Sequence, residues 1–187
     1  AILNEINTAR KEPEKYIQYL DDYRKLFKGK TAYFPNYLRV QTQEGAVPIE
    51  EAIEFMKSLS KLEAYDFSSG LNKSAAAQLG DLIENSSLGH TGKDGSNLSK
   101  RLGKFGRTGG RYAENLAFYA ETARDVVLLM IVDDGIQNRA HRKNIFSTDF
   151  KVIGVAFGKG KSAEGLCVMQ FAGSFTESVL PKGVREM

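Results

Sequence analysis

Apolar residues open the chain at helical spacing: Ile2, Leu3 and Ile6, then Tyr16, Ile17, Leu20, Tyr23 and Phe27, with Pro13 where the first turn of a renewed helix accepts it. The period fails between Lys28 and Pro48, where Gly29, Pro35, Gly45 and Pro48 interrupt it, so residues 28–48 read as a long irregular loop or insertion. An amphipathic helix follows with Ile49, Ile53, Met56 and Leu59 on one face. A third helix spans residues 71–83, groups Ala75, Leu79, Leu82 and Ile83, and ends near Asn85, Ser86 and Ser87.

The chain then turns polar and is punctuated by Gly89, Gly92, Gly95, Gly103, Gly106, Gly109 and Gly110, with one short helix suggested by Leu98, Leu102 and Phe105. Thr122 with Asp125 three residues on has the form of a capping box, ahead of a buried helix carrying Val126, Val127, Met130 and Ile131 that Gly135 ends. Ile153, Val155 and Phe157, then Leu166, Val168 and Phe171, mark two strands around the turn-rich Gly158-Lys159-Gly160-Lys161. Helices without regular alternation with strands argue for an α+β fold rather than a doubly wound sheet. No repeat, low-complexity segment or linker divides residues 1–187, so a single domain is expected.

With 187 residues, 42% hydrophobic and 26% charged, the chain is long enough to bury a core without disulfides. No apolar run approaches the ~20 residues of a spanning helix, so no transmembrane segment is expected. The net charge of +3, spread along the chain, argues against a nucleic-acid partner. Cys167 stands alone, which excludes an internal disulfide framework and a multi-cysteine metal site, and its place between Leu166 and Val168 in a strand reads as a structural thiol. The chain begins at Ala1 rather than Met, which fits removal of a leader or trimming.

The chemistry rests on two histidines, neither on an apolar helical face. His90 lies in Gly89-His90-Thr91-Gly92-Lys93-Asp94-Gly95-Ser96, where glycines let the backbone bend around the ring and Thr91 or Ser96 is placed to fix its tautomer. Glu114, among apolar neighbours in Tyr112-Ala113-Glu114-Asn115-Leu116-Ala117, either faces solvent on an edge strand or points inward and needs a partner. His141 follows Asp133-Asp134-Gly135 closely, and an acidic pair at a helix C-terminus opposes the helix dipole, which invites a partner.

These segments, Gly89-His90-Thr91 with Asp94-Gly95-Ser96, Ala113-Glu114-Asn115-Leu116-Ala117, Ala140-His141-Arg142-Lys143-Asn144-Ile145 and Ile153-Gly154-Val155, resemble in their order the CAP superfamily, which groups cysteine-rich secretory, antigen 5 and pathogenesis-related proteins. The resemblance is close over residues 71–175, and Asn4-Glu5-Ile6-Asn7 with Arg10 is similar to the opening of such domains. It implies a three-layer α-β-α sandwich with a central antiparallel sheet and a His/acid tetrad in one cleft. His90, Glu114 and His141 match three positions of that tetrad, and Asp133, counted from Met130 where many members carry tryptophan, is the fourth, with Asp134 as its alternative. Missing tryptophan and disulfide cysteines place the chain nearer cysteine-poor microbial members.

The resemblance also implies a secreted, extracellular or cell-envelope location, and a monomer is expected. Two imidazoles and two carboxylates suit Zn²⁺ or another divalent cation, with His90 and His141, then Glu114 and Asp133, as ligands. A small lipid or sterol is the rival ligand, for which Tyr33, Phe34, Tyr37 and Leu38 would line an apolar groove or, alternatively, pack the loop onto the body. A cell-surface protein is another candidate partner. Catalysis stays open as a metal-dependent hydrolase or protease with Glu114 or Asp133 as base, but neither His-Glu-x-x-His nor Gly-x-Ser-x-Gly occurs, so binding is favoured. A structural or adhesion role at the cell surface is the third reading.

Overall fold

The computed structural model describes residues 1–35, 38–85, 89–161 and 165–178. In chain order its elements are α1 (Ile2–Lys11), α2 (Pro13–Arg24), β1 (Phe27–Lys28), β2 (Thr31–Tyr33), β3 (Arg39–Gln41), α3 (Val47–Lys57), β4 (Asp66–Phe67), α4 (Ser69–Asn85), α5 (Leu98–Gly103), β5 (Gly106–Phe118), α6 (Ala123–Val132), α7 (Ala140–Phe146), β6 (Val152–Lys159) and β7 (Gly165–Glu177). They form two compact units, each assembled from two separated stretches: unit 1 from Ala1–Ala64 and Tyr119–Thr148, unit 2 from Tyr65–Phe118 and the stretch that begins at Asp149. The α+β class is as the pattern of elements predicts.

Unit 1 is mainly helical. Ile6, Tyr16, Leu20, Ile49, Met56, Ile131 and Ile145 are fully buried, and each such side chain contributes roughly 1.5–3 kcal/mol of transfer free energy. Pro13 stands at the start of α2. Thr122 and Asp125 form the expected capping box: the Thr122 side chain accepts from the Asp125 backbone N–H, and the Asp125 carboxylate accepts from the Thr122 backbone N–H. Arg10, 2% exposed, spends its donors on the carbonyls of Glu63, Ile145 and Ser147, fastening α1 to the two segments that follow α3 and α7.

Two features of unit 1 differ from the sequence expectation. Within residues 28–48, read as irregular, lies an antiparallel β1–β2–β3 meander in register Lys28↔Thr31, Thr31↔Gln41 and Tyr33↔Arg39. Strands of two or three residues are too short to show a period. The end of α6 comes at Asp133, which is itself left-handed (φ 59°), and Gly135 (φ 78°) serves the turn beyond. A Cβ at Gly135 would strike the Gln43 side chain, so two requirements meet there.

Unit 2 carries a sheet in the order β4-β6-β7-β5, with α4 against β6 and β7. The β6–β7 hairpin forms as expected, and β5 pairs antiparallel with β7 over most of its length. Only the two-residue β4 runs parallel to its neighbour. Ala75, Leu79 and Leu82 of α4 meet Leu116, Ala156, Leu166 and Val168 in one apolar cluster, and Leu71, Leu102 and Ala172 form a second. Gly154 lets α4 lie on the sheet, since a Cβ there would overlap the backbone of Leu71 and Asn72. Strand β5 went unread because its first half is glycine-rich and polar while Glu114, Asn115, Leu116 and Ala117 are all buried, so no two-residue alternation exists.

Candidate functional site

In unit 2 the register of β5 on β7 sets Glu114 opposite Gln170, and Gln170 Nε2 donates to Glu114 Oε2 at 2.7 Å. From α5, Arg101 donates through one terminal nitrogen to both carboxylate oxygens, at 2.9 and 2.8 Å, and through the other to the carbonyls of His90 and Ser96. His90 Nδ1 lies 2.9 Å from Glu114 Oε1. The carboxylate therefore takes four contacts, and the His90 loop is sewn down by the guanidinium that neutralises it. Arg101 and Glu114 side chains are each 2% exposed, while His90 is 58% exposed.

Burial alone would raise the Glu114 pKa, but hydrogen bonds from His90, Arg101 and Gln170, with the nearby guanidinium charge, outweigh it and hold the carboxyl below its usual range. An ionised carboxylate only accepts, so His90 Nδ1 carries the proton and Nε2 bears the lone pair of the neutral ring. Neither residue expected to fix this tautomer does so: Glu114 does, and the Ser96 hydroxyl bonds Asp94 instead. Gln78 Nε2 donates to the Gly89 carbonyl, which holds the approach to the loop.

In unit 1 Asp133 and His141 make the second pair. Asp133, 3% exposed, sits at the C-cap of α6, where its left-handed backbone turns the carboxylate toward α7. Its Oδ1 lies 2.6 Å from His141 Nδ1, and its Oδ2 accepts from the backbone N–H groups of His141 (2.9 Å) and Arg142 (3.4 Å). His141 is in the first turn of α7, a helix of seven polar-rich residues that the pattern did not reveal. Asp134 goes elsewhere, accepting from the backbone of Gln43 and Glu44.

Two arginines hold this second loop. Arg139 pairs with Glu44 and Glu51 and donates to the Asp133 carbonyl, and the Glu44 carboxyl is lowered to about 2, chiefly by Arg139 with help from the Gly135 N–H. Arg142 donates to the carbonyls of Ile131, Val132 and Pro48, and its burial lowers its pKa. Among the described residues, no group of three or more His, Cys, Asp or Glu side chains is placed to hold a metal ion. Cys167 is buried and desolvation pushes its thiol up to about 12, which leaves it unreactive.

Sequence reading missed Arg101 and Gln170. Both carried a signal: Arg101 shares the helical face of Leu98, Leu102 and Phe105, and Gln170 interrupts the apolar run from Leu166 to Phe171. A polar side chain on a buried face has to be paired. Of the groove candidates in residues 28–48, Phe34 is half-buried with its ring tilted against Tyr23 at 6.2 Å, Tyr33 and Leu38 are exposed, and Tyr37 lies outside the described residues.

The cysteine-rich secretory protein family model, CAP, matches residues 3–171. The chain belongs to this family. Among solved structures, similar ones include an outer surface protein of Borrelia burgdorferi, 24% identical, with 66% of this chain and 86% of that one covered at a TM-score of 0.52. An extracellular SCP-domain protein of Bacillus anthracis str. Ames is 19% identical over 68% of this chain and 37% of that longer one, at a TM-score of 0.45. The first likeness shows the fold. A search of curated protein sequences finds no match. No described helix is long and apolar enough to cross a membrane.

Proposed function

We propose that this CAP chain is an extracellular or envelope-exposed protein that binds a ligand through the carboxylate-locked imidazole of His90 rather than catalysing a reaction. The observation that carries this reading is the engagement of Glu114: it accepts four hydrogen bonds, so its lone pairs are spent on orienting His90 and pairing Arg101 and Gln170. The location rests on the family's secretory character and on the outer-surface relative.

An imidazole whose Nδ1–H is tied to a carboxylate presents Nε2 to a ligand in a set direction, the arrangement that orients histidines toward zinc. The donor chemistry of His90 fits weak contact with a divalent cation such as Zn²⁺, with Glu114 as a supporting group rather than a ligand. A bound ion would supply a Lewis-acid contact for an oxygen of a small ligand. Titration of the purified chain with Zn²⁺, followed by calorimetry and imidazole NMR, tests this. Weak binding near neutral pH, abolished in His90→Ala, is expected. No heat and unmoved imidazole resonances would overturn the cation reading, and a small lipid or sterol found by mass spectrometry of extracted protein would put the rival ligand class in its place.

A further inference from the structure

The net charge of +3 conceals a segregation. Between Tyr23 and Gln43 the sequence carries Arg24, Lys25, Lys28, Lys30 and Arg39 and no acid, which leaves 21 cationic side chains against 23 acidic ones elsewhere. This stretch holds the β1–β2–β3 meander of unit 1. Asp21 and Asp22 pair with Arg24 and Lys25, whereas no salt bridge among the described residues engages Lys28, Lys30 or Arg39, all exposed.

Strand register puts Lys28, Thr31, Tyr33, Arg39 and Gln41 on one face, opposite the face of the buried Ala32. The Arg39 guanidinium stands 5.5 Å from the ring centroid of Tyr33, which is 43% exposed on that face, while Val40 pairs with Ala32 on the opposite one. A soluble polyanion would satisfy the cations and leave the tyrosine ring wet. An anionic bilayer satisfies both: Lys and Arg meet lipid phosphates, while the tyrosine settles into the boundary between headgroup and acyl chain.

We infer that the β1–β2–β3 meander is a peripheral docking surface for an anionic phospholipid bilayer. It acts independently of the imidazole pairs. The test is flotation of the full chain with vesicles of phosphatidylcholine alone or mixed with phosphatidylglycerol. Binding is expected only to the mixed vesicles and weakens with added salt. Lys28→Gln, Lys30→Gln and Arg39→Gln each lower partitioning about fivefold, Tyr33→Ser lowers it severalfold, and His90→Ala leaves it unchanged. The two lysine substitutions keep the test valid should Arg39→Gln disturb the meander. Equal binding to both vesicles, or binding to neither, overturns the inference. So does competition by soluble polyphosphate combined with indifference to Tyr33→Ser, which would mark a site for soluble polyanions.

Discussion

The two imidazole–carboxylate pairs reach the same local chemistry by different supports. In unit 2 the acid is on a strand, and a buried guanidinium neutralises it: Glu114 with Arg101, both 2% exposed. In unit 1 the acid is at a helix terminus, and backbone N–H groups of the next helix do that work: Asp133 with the first turn of α7. One pair depends on a counter-ion delivered from α5, the other on the path of a single short loop. The carboxylate matters in both for where it points the ring, and the cost of losing each support should differ accordingly.

Arg101→Met breaks that symmetry hardest. It strands Glu114 as a buried charge and releases the carbonyls of His90 and Ser96, so a loss of about 3–5 kcal/mol is expected in urea unfolding. A loss under about 1 kcal/mol would mean that solvent reaches Glu114. In unit 1, Asp133→Asn should cost about 2 kcal/mol. The amide oxygen is claimed by the backbone N–H groups, so its NH₂ faces His141 Nδ1 and drives the ring to the Nε2–H tautomer, which ¹⁵N NMR would report.

Removing the rings sharpens the contrast at smaller scale. His90→Ala should cost less than about 1 kcal/mol, because Glu114 keeps Arg101 and Gln170, while His141→Ala should cost about 1.5 kcal/mol, because Asp133 loses its shortest contact. Equal losses in thermal melts would remove the distinction between the supports. The smallest expected effect is a slope with pH. Glu114 is held below its unfolded value of about 4.3, so its contribution is complete above that pH and is lost as pH falls through the lower folded value. Glu114→Gln should flatten the acid side of the stability curve. Glu44, though lowered to about 2, has a side chain 27% exposed and adds less because water screens its pair.

Much of this was readable from residues alone: the helices with a continuous apolar face, the capping box at Thr122, the β6–β7 hairpin and the family's motif order all depend on neighbours within a few positions. Strand β5, helix α7 and the meander were not readable, since a strand buried on both faces, a seven-residue helix and strands of two or three residues leave no period in the sequence. The sequence by itself determined the α+β class, the family, and the identity of His90, Glu114, Asp133 and His141 as the residues to watch. Tertiary structure alone decided that Asp133 rather than Asp134 meets His141, that Glu114 meets His90, and that Arg101 and Gln170 support the latter pair. The reason is that charge compensation in a buried site works over a few ångströms of space, and the partners here stand 8 to 56 residues apart along the chain.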